Sequence, residues 1–99
     1  MMKIIISEPA LAQLQQIFEY YEIKVSKKVA KKIKTKLLNR IKDLKDNPRL
    51  GMIEEHLTMT DEVRYLVQDD YKILYLVEEE FIKITDFFDS RQNPDKMKV

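Results

Sequence analysis

Ninety-nine residues, 44% of them apolar and 35% charged, are enough for one hydrophobic core and too few for two. One Gly, three Pro and no Cys exclude a low-complexity or collagen-like chain, disulfides, thiolate nucleophiles and cysteine-held metals. The net charge of +1 hides a polarity, because residues 24–49 carry +9 and residues 50–90 carry −8.

Such a separation marks either a surface for nucleic acid or an acidic partner, or two halves that face each other, or a solvated helix face. The longest apolar runs, Ile4 to Ile6 and Ile73 to Val77, fall far short of the roughly 18 residues of a membrane span. The amino terminus has no basic stretch ahead of an apolar core, so no secretory signal is expected. A soluble, cytoplasmic protein is the expectation.

Lys3 to Ser7 begins with a short β-branched run and ends on a helix start. Ser7 can cap, Glu8 suits the positive end of the helix dipole, and Pro9 is tolerated in the first turn. Ala10, Leu11, Leu14, Ile17, Phe18 and Tyr21 then recur at helical spacing, which predicts a helix over about 8–23. Ser26 caps a second one, whose apolar positions run from Val29 to Leu44 while lysines take the other sides. The short connection favours an antiparallel hairpin with its basic face outward.

Asn47-Pro48 stops the second helix, since proline and the residue before it both leave the α region. Residues 52–61 show no clean period and are expected to form a loop or short irregular element. From Glu62 the period becomes two. The runs 62–68, 71–77 and 81–88, separated by Asp69-Asp70 and Glu78 to Glu80, read as an antiparallel meander. A two-residue turn at Asp69-Asp70 sets Arg64 opposite Tyr75 and Leu66 opposite Ile73 on one face. Val63, Tyr65, Val67, Leu74 and Leu76 fall on the other face, which is expected to stay partly exposed as a candidate binding surface. Residues 90–99 read as a polar tail. The expected fold is a single α+β domain over 1–99 of order β-α-α-β-β-β, with the helical hairpin on one face of a small, mostly antiparallel sheet.

This order resembles the RelE/ParE superfamily of bacterial toxins. The resemblance concentrates in Leu44-x-x-Asn47-Pro48-x-x-Gly51 and in Val63-Arg64-Tyr65-Leu66-Val67 followed by Tyr71-Lys72-Ile73-Leu74-Tyr75. It continues in Ile82-Lys83-Ile84 through Phe87-Phe88-Asp89-Ser90-Arg91-Gln92-Asn93-Pro94, with Lys72 standing where the family carries an arginine. It implies the toxin of a type II, plasmid-stabilisation-like toxin-antitoxin system, with a cognate antitoxin as partner. A second copy of the chain is a further partner it allows; a membrane and a cofactor are not implied.

The superfamily contains both ribosome-dependent mRNA interferases and ParE-type inhibitors of DNA gyrase, so fold and activity are separate questions. In many RelE-like enzymes the end of the last strand supplies His and Tyr. Here that stretch is Phe88-Asp89-Ser90, and neither residue type occurs between Tyr75 and the carboxyl terminus. The resemblance therefore favours the ParE-like branch, acting on gyrase by protein binding. The alternatives are an mRNA endoribonuclease on the ribosome, using Arg64, Asp89 and Arg91, and an inactive descendant that only binds its partner.

Arg64, Lys72, Lys83 and Arg91 are the candidate contacts to target or antitoxin. Arg64, in a strand interior, has two readings: a structural ion pair, for which Asp86 is one candidate partner, or a contact with target or phosphate. Arg91 has two as well, a contact or a surface charge. Tyr71 and Tyr75 read as core, and His56 as a loop residue that holds no metal. The lysine-rich helix suits the mixed-to-acidic tail of an antitoxin, and nothing in it resembles a base-reading recognition helix.

Overall fold

The computed structural model describes residues 2–57 and 62–97. Strand β1 (Lys3–Ile6) leads directly into helix α1 (Glu8–Lys24). Ser7 makes that turn by accepting the Ala10 N–H on its hydroxyl at 3.2 Å and donating its own N–H to the Ile84 carbonyl at 2.9 Å. At the other end, the Tyr21 carbonyl accepts the N–H groups of both Val25 and Ser26, and Ser26 caps helix α2 (Lys27–Lys42) through the Val29 N–H. The two helices thus start on the two serines that the sequence marks. A 3₁₀ turn at Asp43–Lys45 closes α2 ahead of Asn47-Pro48.

The remaining strands are β2 (Met52–Ile53), β3 (Val63–Gln68), β4 (Tyr71–Val77) and β5 (Phe81–Asp89). They form a five-stranded sheet in the order β1-β5-β4-β3-β2, with β1 parallel to β5 and every other pair antiparallel. The β3–β4 hairpin has the expected register, Arg64 opposite Tyr75 and Leu66 opposite Ile73. Its turn works because Asp69 takes φ 54°, a left-handed conformation that aspartate tolerates better than most residues. Within the sheet, one element differs from the sequence reading. Met52 and Ile53, within the predicted loop, pair with Tyr65 and Arg64 as a short edge strand. Two residues are too few to show a period. Residues 58–61 of that loop lie outside the described residues.

A bulge in β5 shapes both faces. Tyr75 stands opposite Ile84 and Leu74 opposite Asp86, so Thr85 is the extra residue, its hydroxyl donating to the Leu74 carbonyl at 3.3 Å. The shift lets Ile84 and Phe87 both join the helix-side core with Leu14, Leu37, Ile41, Leu66, Ile73 and Tyr75. On the far side Val63, Leu74, Leu76 and Phe88 form a second cluster. Most of that face is covered, more than the partly exposed surface expected from the sequence, although Val67, Met52 and Ile5 stay exposed on it. Pro94–Lys96 make a 3₁₀ turn capped by Asn93, which lays Met97 over the cluster with Leu57 beside it. A lone methionine in a polar segment gives no periodic signal, so the cover is not visible in sequence. Of the residues assigned to that face from the sequence, Val67 alone stays widely open, at 56%.

Candidate functional site

Arg64 projects from β3 on the helix side, because it pairs across the ladder with the core residue Tyr75. Its guanidinium donates to the Gly51 carbonyl at 2.7 Å and pairs with Glu62, and its side chain is only 16% exposed. Asp86 stands opposite Leu74 and therefore on the far face. The candidate Arg64–Asp86 pair is thus prevented by strand parity. Arg64 instead clamps the segment before β2. The same segment is held by the Tyr75 hydroxyl, which accepts the Gly51 N–H at 2.8 Å. Burial pushes the Tyr75 phenol above its usual range, so it stays neutral and serves as an acceptor. Tyr71 and Tyr75 are both core residues, as read from the sequence.

Lys72 and Lys83 lie on the opposite face, as their cross-strand partners Phe88 and Leu76 show. The Lys72 ammonium reaches Glu54 at 2.8 Å and sits 4.4 Å from the centre of the Tyr65 ring. Glu54 is itself buried and also accepts the His56 N–H. Lys72 is therefore compensated where it stands. Lys83 is half-buried between Ile5 on β1 and Leu76 on β4. His56 belongs to a turn, its Nε2 2.9 Å from Asp95, which ties that turn to the carboxyl-terminal one.

Asp89 and Arg91 occupy the far end of β5. Arg91 is exposed and grips Asp89 through Nε and a terminal nitrogen at 2.9 and 2.8 Å, with Asp70 3.6 Å away. The Arg91 hydrogen bond is the main reason that the Asp89 carboxyl lies below its usual range. Such a carboxylate is a poor general base, because taking a proton would displace two charge-assisted bonds.

These two residues border a cleft of about 660 Å³ between α1 and the end of β5. Gln13, Gln16 and Tyr20 line its other wall, and Tyr71 and Phe87 contribute to it. Sequence reasoning missed the two glutamines, which read as the solvent side of an amphipathic helix. Gln13 reaches the sheet, its side-chain oxygen accepting the Phe87 N–H at 3.0 Å where β1 no longer covers β5. The Tyr71 phenol is pushed well above its ordinary range, first by burial and then by the Tyr21 hydroxyl. Among the described residues no group of three metal-ligating side chains comes together.

The candidate residues thus fall in three places. Arg64 is on the helix face, Lys72 and Lys83 are on the far face, and Asp89 with Arg91 sits at the sheet's end. A family model described as the ParE toxin of the type II toxin-antitoxin system parDE matches residues 4–94. The chain belongs to the ParE toxin family. It is accordingly a toxin of a type II toxin-antitoxin system, whose partner is an antitoxin, as the resemblance implied. Solved structures agree on the fold of this ParE-family toxin. The chromosomal ParDE system from P. aeruginosa superposes with a TM-score of 0.75 at 20% identity, covering 88% of this chain and 94% of that one. The YoeB dimer from Staphylococcus aureus gives 0.58 at 20% identity, with 87% and 93% covered. No curated protein matches the chain. Among the described residues no helix of this toxin is long and apolar enough to cross a membrane.

Proposed function

We propose that this ParE-family toxin acts by binding DNA gyrase and blocking it, performs no chemistry of its own, and is silenced when its antitoxin covers it. The observation that carries this reading is the dispersal of the candidate residues over two faces and one end of the sheet. Cleaving RNA by 2′-hydroxyl attack needs a base, a phosphate-holding cation and an acid converging on one scissile bond. Arg64 clasps the Gly51 carbonyl, Lys72 is compensated by Glu54, and Asp89 is committed to Arg91. The strand region's charge of −8 also makes a poor landing site for messenger RNA. Inhibition by protein binding asks only for a shaped surface.

The test pairs two assays on purified toxin. Gyrase supercoiling is expected to fall at micromolar toxin and to recover when antitoxin is added. Codon-mapped transcript cleavage in a translating extract is expected to be absent. Cleavage that disappears in Arg64→Ala or Arg91→Ala would move the protein to the endoribonuclease class. If neither assay responds and expression without antitoxin leaves growth intact, the inactive-descendant reading takes its place.

A further inference from the structure

Helix α2 carries eight basic residues and no acidic one in sixteen positions. At 100° per residue the apolar positions Ala30, Ile33, Leu37 and Ile41 gather on one side, and Lys28, Lys31, Lys32 and Lys42 on the other, with Lys27 and Lys36 on the flanks. All six of these lysines are exposed. Among the described residues the acidic half of the chain does not neutralise them. Among the described residues the ion pair made by an α2 cation is Arg40 with Asp43, while Lys34 lies over the Phe18 ring. Lys27 and Lys28 occupy the first turn, where the helix dipole disfavours positive charge, so local helix stability does not account for them.

The same face lacks what a protein partner would need. No exposed large apolar side chain occurs between Ser26 and Arg49, whereas such residues stand at Ile23, Val25, Leu50 and Met52 on either side of this stretch. Protein interfaces are built on apolar and aromatic anchors, and lysine is depleted from their centres. A membrane surface fits no better, because the apolar face of α2 is already spent on the core. Single-stranded nucleic acid is bound largely by aromatic stacking, and α2 contains no aromatic residue. A helix side lined with lysines that form no ion pair among the described residues matches an array of phosphates.

We infer that the lysine face of α2 binds the phosphate backbone of double-stranded DNA without reading its sequence. The surface is separate from Arg64, Lys72, Lys83 and Arg91, and it does not depend on whether the toxin's target is gyrase or messenger RNA. Its use would be to hold the toxin near DNA while another face meets the target.

The test is fluorescence anisotropy of the full chain on a scrambled duplex of about 20 base pairs. With about four lysines engaged, affinity is expected to fall roughly 150-fold between about 50 and 200 mM salt. K28A/K31A/K32A keeps good helix formers on the surface, and is expected to weaken binding more than tenfold and to flatten the salt slope by about three. K28R/K31R/K32R is expected to bind as the parent does, with matching circular dichroism for all three proteins. Several results would overturn the inference: no binding at the lower salt, a triple-alanine variant that binds unchanged, or a polyglutamate of equal charge that displaces the duplex at equal concentration. Tighter retention by single-stranded DNA or by phosphatidylserine vesicles would do the same.

Discussion

The Gly51 backbone is pressed against the Tyr75 ring: its N–H donates to the phenol oxygen at 2.8 Å, and a Cβ placed on it would lie 2.7 Å from that oxygen and 2.5 Å from the Tyr65 carbonyl. The chain's single glycine is therefore there for space, since its φ is not positive. Gly51→Ala must push β2 off β3, and we expect a loss of about 2 to 4 kcal/mol, the range of severe packing and backbone lesions. Tyr75→Phe keeps the ring but leaves the Gly51 N–H without its acceptor, at a cost of about 1 to 3 kcal/mol. Urea unfolding of the two variants measures both. A neutral Gly51→Ala would mean that this contact is loose.

Arg64 acts first on stability. It joins the Gly51 carbonyl to Glu62, two acceptors that a lysine cannot engage together with a single ammonium. Arg64→Lys is expected to lose about 1 kcal/mol and Arg64→Ala about 2 kcal/mol, in the range of hydrogen bonds to charged groups. The melting temperature should fall in the same order. Any loss of toxicity in Arg64→Ala then has to be compared with the folded fraction before it is assigned to target contact.

Two groups at the cleft set opposite limbs of the pH profile. The Tyr71 phenol is raised above its usual 10.0 by burial, so the fold favours the neutral form. Its contribution is complete below that value and is lost as pH climbs beyond it, because the unfolded chain then gives up the proton first. Asp89 is lowered below 3.8 by the Arg91 hydrogen bond, so its contribution holds above that value and disappears as the medium becomes more acidic. Denaturation midpoints across the two ranges should show a shallower alkaline decline in Tyr71→Phe and a shallower acid decline in Asp89→Asn. Unchanged limbs in both variants would detach these residues from the pH dependence.

Much of the frame is legible in the chain, and the reasons are local. Ser7 and Ser26 announce the helices because capping is a contact between neighbours, and Asp69-Asp70 fixes a hairpin register because a two-residue turn leaves little freedom. What is not legible is long-range. Arg64 and Asp86 looked like partners until the bulge at Thr85 and strand parity put them on opposite faces. Gln13 carries no sequence sign of its contact with the sheet, which exists because β1 is too short to cover Phe87. The family is readable from short patterns in order, whereas the grouping of Arg64, Lys72, Lys83, Asp89 and Arg91 depends on which way each strand residue points.

The carboxyl-terminal segment is the clearest case of structure that composition conceals, and it gives the last prediction. Asn93 caps the Pro94–Lys96 turn by accepting the Asp95 N–H, Asp95 meets His56, and Met97 ends at 8% exposure over Val63, Leu74, Leu76 and Phe88. Asp95 is exposed, so the His56 contact contributes little by itself and the methionine supplies most of the hold. Met97→Ala is expected to cost about 2 kcal/mol, the low end for a buried methionine, because a terminal segment can relax. Ending the chain after Gln92 should cost more and expose an apolar sheet face, visible as increased binding of a hydrophobic dye at temperatures where the helices persist by circular dichroism. Asp95→Asn, which leaves Met97 in place, should change neither reading by more than a few tenths of a kcal/mol. If truncation left stability and dye binding at parental values, the segment would be an appendage and the far face would need no cover.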